Sequence, residues 1–390
     1  MLILSTIFFL AIPIISLPLF FVLMLINKSE KNYYVLFFSF SLGIVAFYIE
    51  PIQALDLYRY FEQMDVMGQL NFIEFFNTHV LRPEFLSNLT FFIIAKIKQY
   101  GLLSMIATTI SYYFIIKCVL ECANKKNLRL LEKIVILLFV LSIMIFTHFA
   151  TRIRNNVGLV LCAYAFYREY VQGKKGLFTK MLYILPCFIH ASMLLGVIIR
   201  LVLCIKEKYL KVILPIIVGL VVILGNMYIT MIGGFMSNFG MFSSYDDKIS
   251  AYILSGTEYE PTNVKVKFAL MLLLVCNLIY MIKRYNYGKE NSEYTKMILV
   301  VDLIVMSLVQ YNDVFLRFFY LAFFVNIKLL IDTVRILNRK KEKIIYYALI
   351  ILFTFAHVKL QYSAMQDLRF PELANNVIIN MFQFSWRIIA

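Results

Sequence analysis

The sequence contains none of the short motifs by which many enzymes hold a nucleotide, a metal ion or a reactive serine. It has no Gly-Lys-Ser/Thr phosphate loop, no Gly-x-Ser-x-Gly turn, and neither His-Glu-x-x-His nor Cys-x-x-Cys spacing. The six cysteines lie in or beside apolar runs, where structural thiols are the usual case. We therefore expect no metal site and no cofactor, and an ATP-driven pump is disfavoured. Any chemistry must use a substrate that is already activated.

Charged residues are also scarce. They make up 16% of the 390 residues, against 62% hydrophobic residues, and this balance excludes a soluble globule. The net charge of +15 raises the question of nucleic acid, but excess Lys and Arg in so apolar a chain marks the cytoplasmic loops of a membrane protein. The composition predicts an all-α, polytopic integral membrane protein whose partner is the lipid bilayer, with no nucleic acid.

The basic residues predict which connections face the cytoplasm. Six clusters of Lys and Arg separate the apolar runs, and the positive-inside rule places all six inside, with both termini outside. The first apolar stretch, residues 2–26, is long enough to span a bilayer, with Pro13 and Pro18 as tolerated kinks. We predict a single membrane domain over residues 1–390 with about 10–12 transmembrane helices, some short or broken. The predicted outer segments are 50–100, 149–155, 233–263, 312–317 and 361–390.

Two apolar stretches do not fit simple spans. Residues 85–98 cover only about half a bilayer, so we expect a short outer or re-entrant helix there, followed by a true span over residues 101–120. Residues 182–205 lie between two basic clusters and must cross twice or dip and return. A helix break between Pro186 and Ser192 is expected, because broken helices at membrane depth line protein or watery cavities. That break contains His190.

Two arginines lie on the predicted outer side, where the positive-inside rule disfavours them. Arg152 and Arg154 stand in the stretch FTHFATRIRNNVGL, just before the next apolar run. They either reach lipid headgroups or pair locally, or they bind an anion, because guanidinium groups bind phosphate oxygens bidentately. A neighbouring helix N-terminus would favour an anion further. Arg317, in the predicted outer turn, is a third outer arginine beside a helix start.

The predicted outer segment 50–87 is acidic and aromatic. Its stretch LDLYRYFEQMD brings Asp56, Tyr58 and Arg59 within four residues, and RPEFLSN brings Arg82 and Glu84 just before the short helix. A carboxylate in an outer cleft can act as a general base toward a sugar hydroxyl, while an ordinary solvated loop carries the same residues.

The predicted outer loop 233–263 is long and rich in Gly, Ser and Tyr. Its Tyr245 and Tyr252 offer flat rings with hydroxyl groups, which suit sugars, although a plain flexible loop has the same composition. Together with segment 50–100, this loop forms the predicted active-site face. Asp302, inside the apolar run MILVVDLIVMSLVQY, is a further functional candidate, because acids are costly within a span.

Five short elements, in this order, resemble the bacterial polysaccharide polymerases of the Wzy type, and among them the EpsG-like group. They are DLYRYFE, RPEFLSNL, RIRNNVGLVLCAYAFY, FIHASML and LRFFYLAFF. FIHASML is the most specific of the five. The chain departs from the pattern after Arg154, where Asn155 stands in place of the commoner Gln.

The resemblance implies a GT-C-like glycosyltransferase that joins oligosaccharide repeat units carried on undecaprenyl diphosphate, at the periplasmic face of a bacterial inner membrane. Arg152, Arg154 and Arg317 would balance charge on the departing diphosphate, and Asp56, Glu84 or His190 would orient or deprotonate the acceptor hydroxyl. The implied substrate-binding residues are Tyr58, Arg59, Arg82, Arg317, Tyr245 and Tyr252. A separate chain-length regulator, a co-polymerase, is the implied protein partner.

Three alternatives stay open. One is a purely structural membrane scaffold, which would not need outward arginines beside helix starts. An O-antigen ligase uses the same kind of lipid-linked donor, but usually has a larger outer loop than residues 233–263. A flippase or other transporter would be expected to show two related halves, and the sequence has no convincing internal repeat.

Overall fold

The computed structural model describes residues 2–11, 16–27, 31–50, 52–53, 55–80, 82, 84–206, 292–309, 312–336 and 340–366, together with residues 209, 210, 212, 216 and 219. Within this part of the chain, the regular elements are all helices. The predicted all-α class is confirmed. Loop 233–263, with Tyr245 and Tyr252, lies outside the described residues.

We number the described helices in chain order. The first ten are α1 Leu2–Ala11, α2 Leu17–Ile26, α3 Lys31–Phe47, α4 Asp56–Gln69, α5 Phe72–His79, α6 Phe85–Ile97, α7 Gly101–Lys125, α8 Leu130–Ile143, α9 Phe146–Thr151 and α10 Ile153–Phe166. A π-helical turn, Tyr167–Val171, follows α10. The others are α11 Leu177–Ile189, α12 Leu194–Val202, α13 Ser292–Ser307, α14 Asn312–Val325, α15 Ile327–Ile336 and α16 Lys340–Gln366.

Two of the described helices are each long and apolar enough to cross a membrane: α7, and α16 over Lys341–Tyr362. Helices α14 and α15 pass the same test together, as a broken span or a re-entrant loop. The 27 residues of α16 extend about 40 Å at 1.5 Å per residue, and many of its large apolar side chains are exposed, as suits a helix in lipid. The polytopic membrane class is confirmed, and the number of spans stays a prediction.

The short and broken elements follow the sequence closely. Helix α6 ends at Ile97 and α7 begins at Gly101, so the expected short helix is confirmed, and α7 is long and apolar enough to be the span expected after it. The expected break in residues 182–205 is confirmed at His190, whereas Pro186 lies inside α11. Near the N-terminus, α1 and α2 have ten residues each, and Pro18 is the second residue of α2. Pro13 lies outside the described residues.

Contacts divide the chain into two compact units. The first holds the described residues of 1–80, 86–160 and 327–390, and the second holds those of 81–85 and 161–326. The predicted single domain over residues 1–390 stays a prediction.

In the first unit, α3 packs closely along α7 through small residues. A Cβ atom on Gly43 would lie 2.2 Å from Thr109 Oγ1 and 2.7 Å from the Met105 carbonyl oxygen. Ser39 and Ser104 are also fully buried. Small residues let membrane helices approach closely, where dispersion and not hydrophobicity drives their association. The α3–α7 pair therefore forms a tight frame for the segments that follow α3 and precede α7.

Helices α8 and α16 of the same unit run parallel. Near their starts, Lys343 Nζ lies 3.9 Å from Glu132 Oε1. Near their ends, Gln361 Nε2 donates hydrogen bonds to the carbonyl oxygens of Leu141 and Ser142, at 2.9 and 3.0 Å. These carbonyls lie at the end of α8, where intrahelical donors run out. The shared direction agrees with the positive-inside count, which places both starts in the cytoplasm.

In the second unit, Asp302 on α13 is completely buried and accepts a hydrogen bond from Asn326 Nδ2 at 2.8 Å. Asp302 Oδ2 and Asn326 Oδ1 have no hydrogen-bond partner. An ionised Asp302 would leave both of these acceptors unsatisfied, and a buried charge without a cation is costly. A proton on Asp302 Oδ2, donated to Asn326 Oδ1, would satisfy both side chains, so we expect Asp302 to be a neutral acid.

Replacing Asp302 by asparagine should therefore leave the protein folded, because an amide N–H can take the place of the acid O–H toward Asn326. Asp302→Ala should lower stability by about 1–3 kcal/mol, because it leaves Asn326 buried without that partner. Thermal unfolding of the detergent-purified variants measures both effects. Equal destabilisation by the two substitutions would mean that Asp302 is ionised.

Candidate active site

Arg152 and Arg154 lie at the junction of two helices. Arg152 separates α9 from α10, and Arg154 is the second residue of α10. The junction is fixed by hydrogen bonds to the His148 carbonyl oxygen from the Arg152 N–H at 2.9 Å and from Asn156 Nδ2 at 2.7 Å. Both arginines thus stand at a helix N-terminus, as predicted, where unsatisfied N–H groups favour an anion.

The Arg154 guanidinium lies over two aromatic rings. Its central carbon lies 4.8 Å from the centre of the Tyr60 ring and 5.9 Å from that of Phe91, and the two ring centres are 5.3 Å apart. Cation–π contact with the two rings holds the guanidinium in place, and its planar group carries five N–H donors. Three segments far apart in the sequence, α4, α6 and α10, therefore meet at Arg154.

Asp56 and Arg59 form an ion pair at the start of α4. Arg59 Nη2 lies 2.6 Å from Asp56 Oδ1, one turn away, and the Arg59 side chain is largely exposed. Asp56 also stands in the first turn of its helix, where a carboxylate is favoured. Tyr58 is half-buried. The structure thus holds Asp56, Tyr58 and Arg59 on the helix that supplies Tyr60 to Arg154.

The asparagines after Arg154 are buried. Asn156 bonds to the His148 carbonyl, whereas Asn155 Oδ1 has no hydrogen-bond partner and its Nδ2 makes a long contact, 3.4 Å, to Asn156 Oδ1. A buried amide oxygen that has no hydrogen-bond partner in the protein can accept a hydrogen bond from a ligand. Asn155 is the position at which the sequence departs from the family pattern.

The other end of α4 is tied to the start of α7. Tyr100 Oη donates a hydrogen bond to Asp65 Oδ1 at 2.5 Å, and this bond raises the pKa of Tyr100. The α4 segment is therefore anchored to the Gly101 end of the span α7.

The remaining predicted site residues belong to the second unit. Glu84, half-buried, and Arg82, exposed, come just before α6. Arg317 is half-buried in the second turn of α14, further into the helix than expected. Among the described residues, no group of three or more His, Cys, Asp and Glu side chains could hold a metal ion.

His190 lies at the break between α11 and α12. Its Nδ1 accepts hydrogen bonds from the Ser192 N–H at 3.3 Å and from Ser192 Oγ at 2.7 Å. A backbone N–H can only donate, so Nδ1 is an acceptor and the ring hydrogen of the neutral imidazole is on Nε2. In this state His190 can donate a hydrogen bond from Nε2 but is not a base at that atom.

Sequence reasoning missed Tyr60 and Phe91, the two rings that hold Arg154. The buried residues of α4, Leu57, Tyr60, Met64 and Met67, recur every three or four positions. This helical periodicity singles out Tyr60 as inward-facing. Nothing in the sequence marks Phe91 among its aromatic neighbours, because its partner on α10 is defined only by the tertiary fold.

Comparison with protein-family models gives a match to the EpsG family over residues 52–373. Neither the curated proteins nor the solved structures provide a match. The matched range covers most of the chain and includes α4, α6 and the arginine junction at α10. The chain belongs to the EpsG family, which supports a role in polysaccharide biosynthesis.

Proposed function

We propose that the protein is a glycosyltransferase that joins oligosaccharide repeat units carried on undecaprenyl diphosphate. The observation that carries this proposal is Arg154, held by Tyr60 and Phe91 beside Arg152 at a helix N-terminus. Such a site suits a diphosphate, because it combines fixed guanidinium donors with a helix dipole. Membership in the EpsG family supports the polysaccharide part of the proposal.

In the proposed reaction, a sugar hydroxyl of one lipid-linked unit attacks the anomeric carbon of a second chain. The new C–O bond forms as the bond to the diphosphate breaks, and the diphosphate leaves with the bonding electrons. Arg152 and Arg154 balance the charge that develops on its oxygens, which is the kind of stabilisation that often dominates catalysis. The proton of the attacking hydroxyl passes to a carboxylate, for which Asp56 and Glu84 are the candidates.

The site lies at the outer end of the first unit in this proposal. Helix α4 is anchored through Asp65 to Tyr100, next to Gly101 at the start of α7. Just past the other end of α7, Lys126 pairs with Asp332 at 2.8 Å. The 25 residues of α7 separate these ends by about 37 Å. Because the Lys126 end carries the basic cluster, the positive-inside rule assigns it to the cytoplasm and Arg154 to the outer face.

The test is the length of surface and lipid-linked glycan in a deletion strain that carries wild-type protein, Arg152→Ala or Lys175→Ala. Lys175 is the matched control, because its pair with Glu293 is exposed and such pairs contribute little. We expect long polymer with wild type and Lys175→Ala, and mostly single repeat units with Arg152→Ala.

Two results in the deletion strain would overturn this proposal. Loss of all exported repeat units would indicate a flippase. Long polymer that stays on its lipid carrier would indicate a ligase.

A variant pair separates two roles of His190. Asparagine at position 190 can still accept the Ser192 N–H at a helix start, as Asn commonly does, but lacks an Nε2–H donor. We expect His190→Asn to fold normally and to shorten the glycan, because the ring no longer donates to the substrate. His190→Ala should shorten the glycan and also lower the thermal unfolding temperature. Wild-type glycan with His190→Asn would show that His190 only caps the helix.

A further inference from the structure

Helix α5, the eight-residue segment Phe72–His79, lies between the two helices that supply rings to Arg154. A capping box fixes its start: Asn71 Oδ1 accepts from the Glu74 N–H, and Glu74 Oε2 accepts from the Asn71 N–H, both at 2.9 Å. At about 12 Å long, α5 is far too short to cross a bilayer. The segment between α4 and α6 therefore contains a short helix with a defined start and is not an irregular loop throughout.

One face of α5 is packed on α6. Phe75 is fully buried, and its ring stacks on Phe92 with 4.5 Å between the centres. On the other side of Phe75, the His79 ring stacks at 4.9 Å. These contacts fix how α5 is rotated about its axis.

A second face of α5 is apolar and exposed. Phe72, Ile73 and Phe76 are 62%, 70% and 44% exposed. At 100° per residue, these three side chains cover a continuous arc between the buried face and a polar face that carries Glu74 and Thr78. Single exposed apolar side chains are ordinary, but a continuous edge of three large ones is a contact surface.

We propose that the Phe72–Ile73–Phe76 edge is a membrane-contact surface, seated among the phospholipid acyl chains of the outer leaflet. Helix α6, which packs on α5 through Phe92, is also apolar and has Ile93 and Ile97 half exposed, so both helices of this membrane protein expose large apolar side chains. An amphipathic helix with separate apolar and polar faces lies in the interface plane, its apolar side about 5–10 Å into the headgroup boundary.

This contact sets the depth of the Arg154 site. The α5 edge packs on Phe92. The residue before it, Phe91, lies near the Arg154 guanidinium. With α5 at the boundary between headgroups and acyl chains, Arg154 is held near the level at which a lipid-linked diphosphate lies. This consequence, and the assignment to the outer leaflet, rest on the proposed function, whereas contact between the edge and lipid does not.

The test uses single tryptophans in protein reconstituted into phosphatidylethanolamine–phosphatidylglycerol vesicles with brominated acyl chains. The chain has one tryptophan, so Trp386→Phe gives a silent background. Ile73→Trp reports on the edge, and Thr78→Trp, on the polar face, is the control. We expect brominated lipid to quench Ile73→Trp at least twice as strongly as Thr78→Trp, and aqueous iodide to show the reverse order.

Two outcomes overturn lipid contact. Quenching of Ile73→Trp by iodide alone would place the edge in water, and protection from both quenchers would mean that protein covers it. Neither quenching measurement depends on enzymatic turnover, so both still report on lipid contact if the proposed function is wrong.

The positioning role has its own test. Ile73→Ser combined with Phe76→Ser should shorten the glycan while the protein remains folded by size-exclusion chromatography. Wild-type glycan with this double variant would overturn the positioning role and leave lipid contact standing.

Discussion

Arg154→Ala is expected to reduce the rate of chain elongation by about 10²–10³-fold, the loss typical of removing one donor to a developing oxyanion. The loss should arise in turnover more than in the amount of protein. Arg154→Lys should retain part of the rate, because it keeps the charge but loses the planar group that lies over Tyr60 and Phe91 and binds phosphate bidentately. For both variants, the loss is measured as glycan length in the complemented deletion strain, normalised to the amount of the variant protein in the membrane.

Tyr60 provides the matched control for the stacking contact. Tyr60→Phe keeps the aromatic face against Arg154 and should retain more elongation than Tyr60→Leu. Cation–π contacts contribute about 0.5–2 kcal/mol, so Tyr60→Leu should lower the rate by about 2- to 30-fold. Wild-type glycan length from well-expressed Arg154→Ala would remove this arginine from the reaction. Equal effects of Tyr60→Phe and Tyr60→Leu would mean that the ring at position 60 does not position Arg154.

The sequence predicted the local elements of the site well. Arginines beside a helix start, a short helix before α7 and a break at His190 each follow from hydropathy, charge and span length over a few residues. Pro186 is the exception, since it lies inside α11. The helix continues for only three residues beyond it, and Pro186 removes a single i→i−4 hydrogen bond, the one to the Leu182 carbonyl.

The contacts between segments were not predictable from the same patterns. Arg154 and Tyr60 are separated by 94 positions, and their contact depends on how α4, α6 and α10 pack. Apolar periodicity shows that Tyr60 faces inward but does not identify its neighbour. The pairing of Asp302 with Asn326, 24 positions apart, is likewise a tertiary result. Local patterns thus identified candidate residues, and the fold supplied their partners.

Gly43→Val is expected to prevent stable folding of the first unit. The added Cβ would meet Thr109 Oγ1 at 2.2 Å and the Met105 carbonyl oxygen at 2.7 Å, so α3 and α7 must separate. Overpacking of this kind costs about 1–3 kcal/mol or more, and separation also loses the close dispersion contacts along the pair. Yield by size-exclusion chromatography and the thermal unfolding temperature measure the effect. Gly176→Ala is the control, because nothing lies within 4 Å of its added Cβ.

A double variant tests whether the clash itself is the cause. Thr109→Ala removes the oxygen at 2.2 Å but leaves the Met105 carbonyl, so combining it with Gly43→Ala should restore only part of the stability lost by Gly43→Ala alone. Full additivity of the two substitutions would mean that α3 and α7 do not meet at this point. Because α3 leads into α4 and α6 leads into α7, Gly43 variants should lose elongation in proportion to folded protein. Arg154→Ala should lose elongation while the amount of folded protein stays the same. This contrast distinguishes the structural role of the α3–α7 pair from the catalytic role proposed for Arg154.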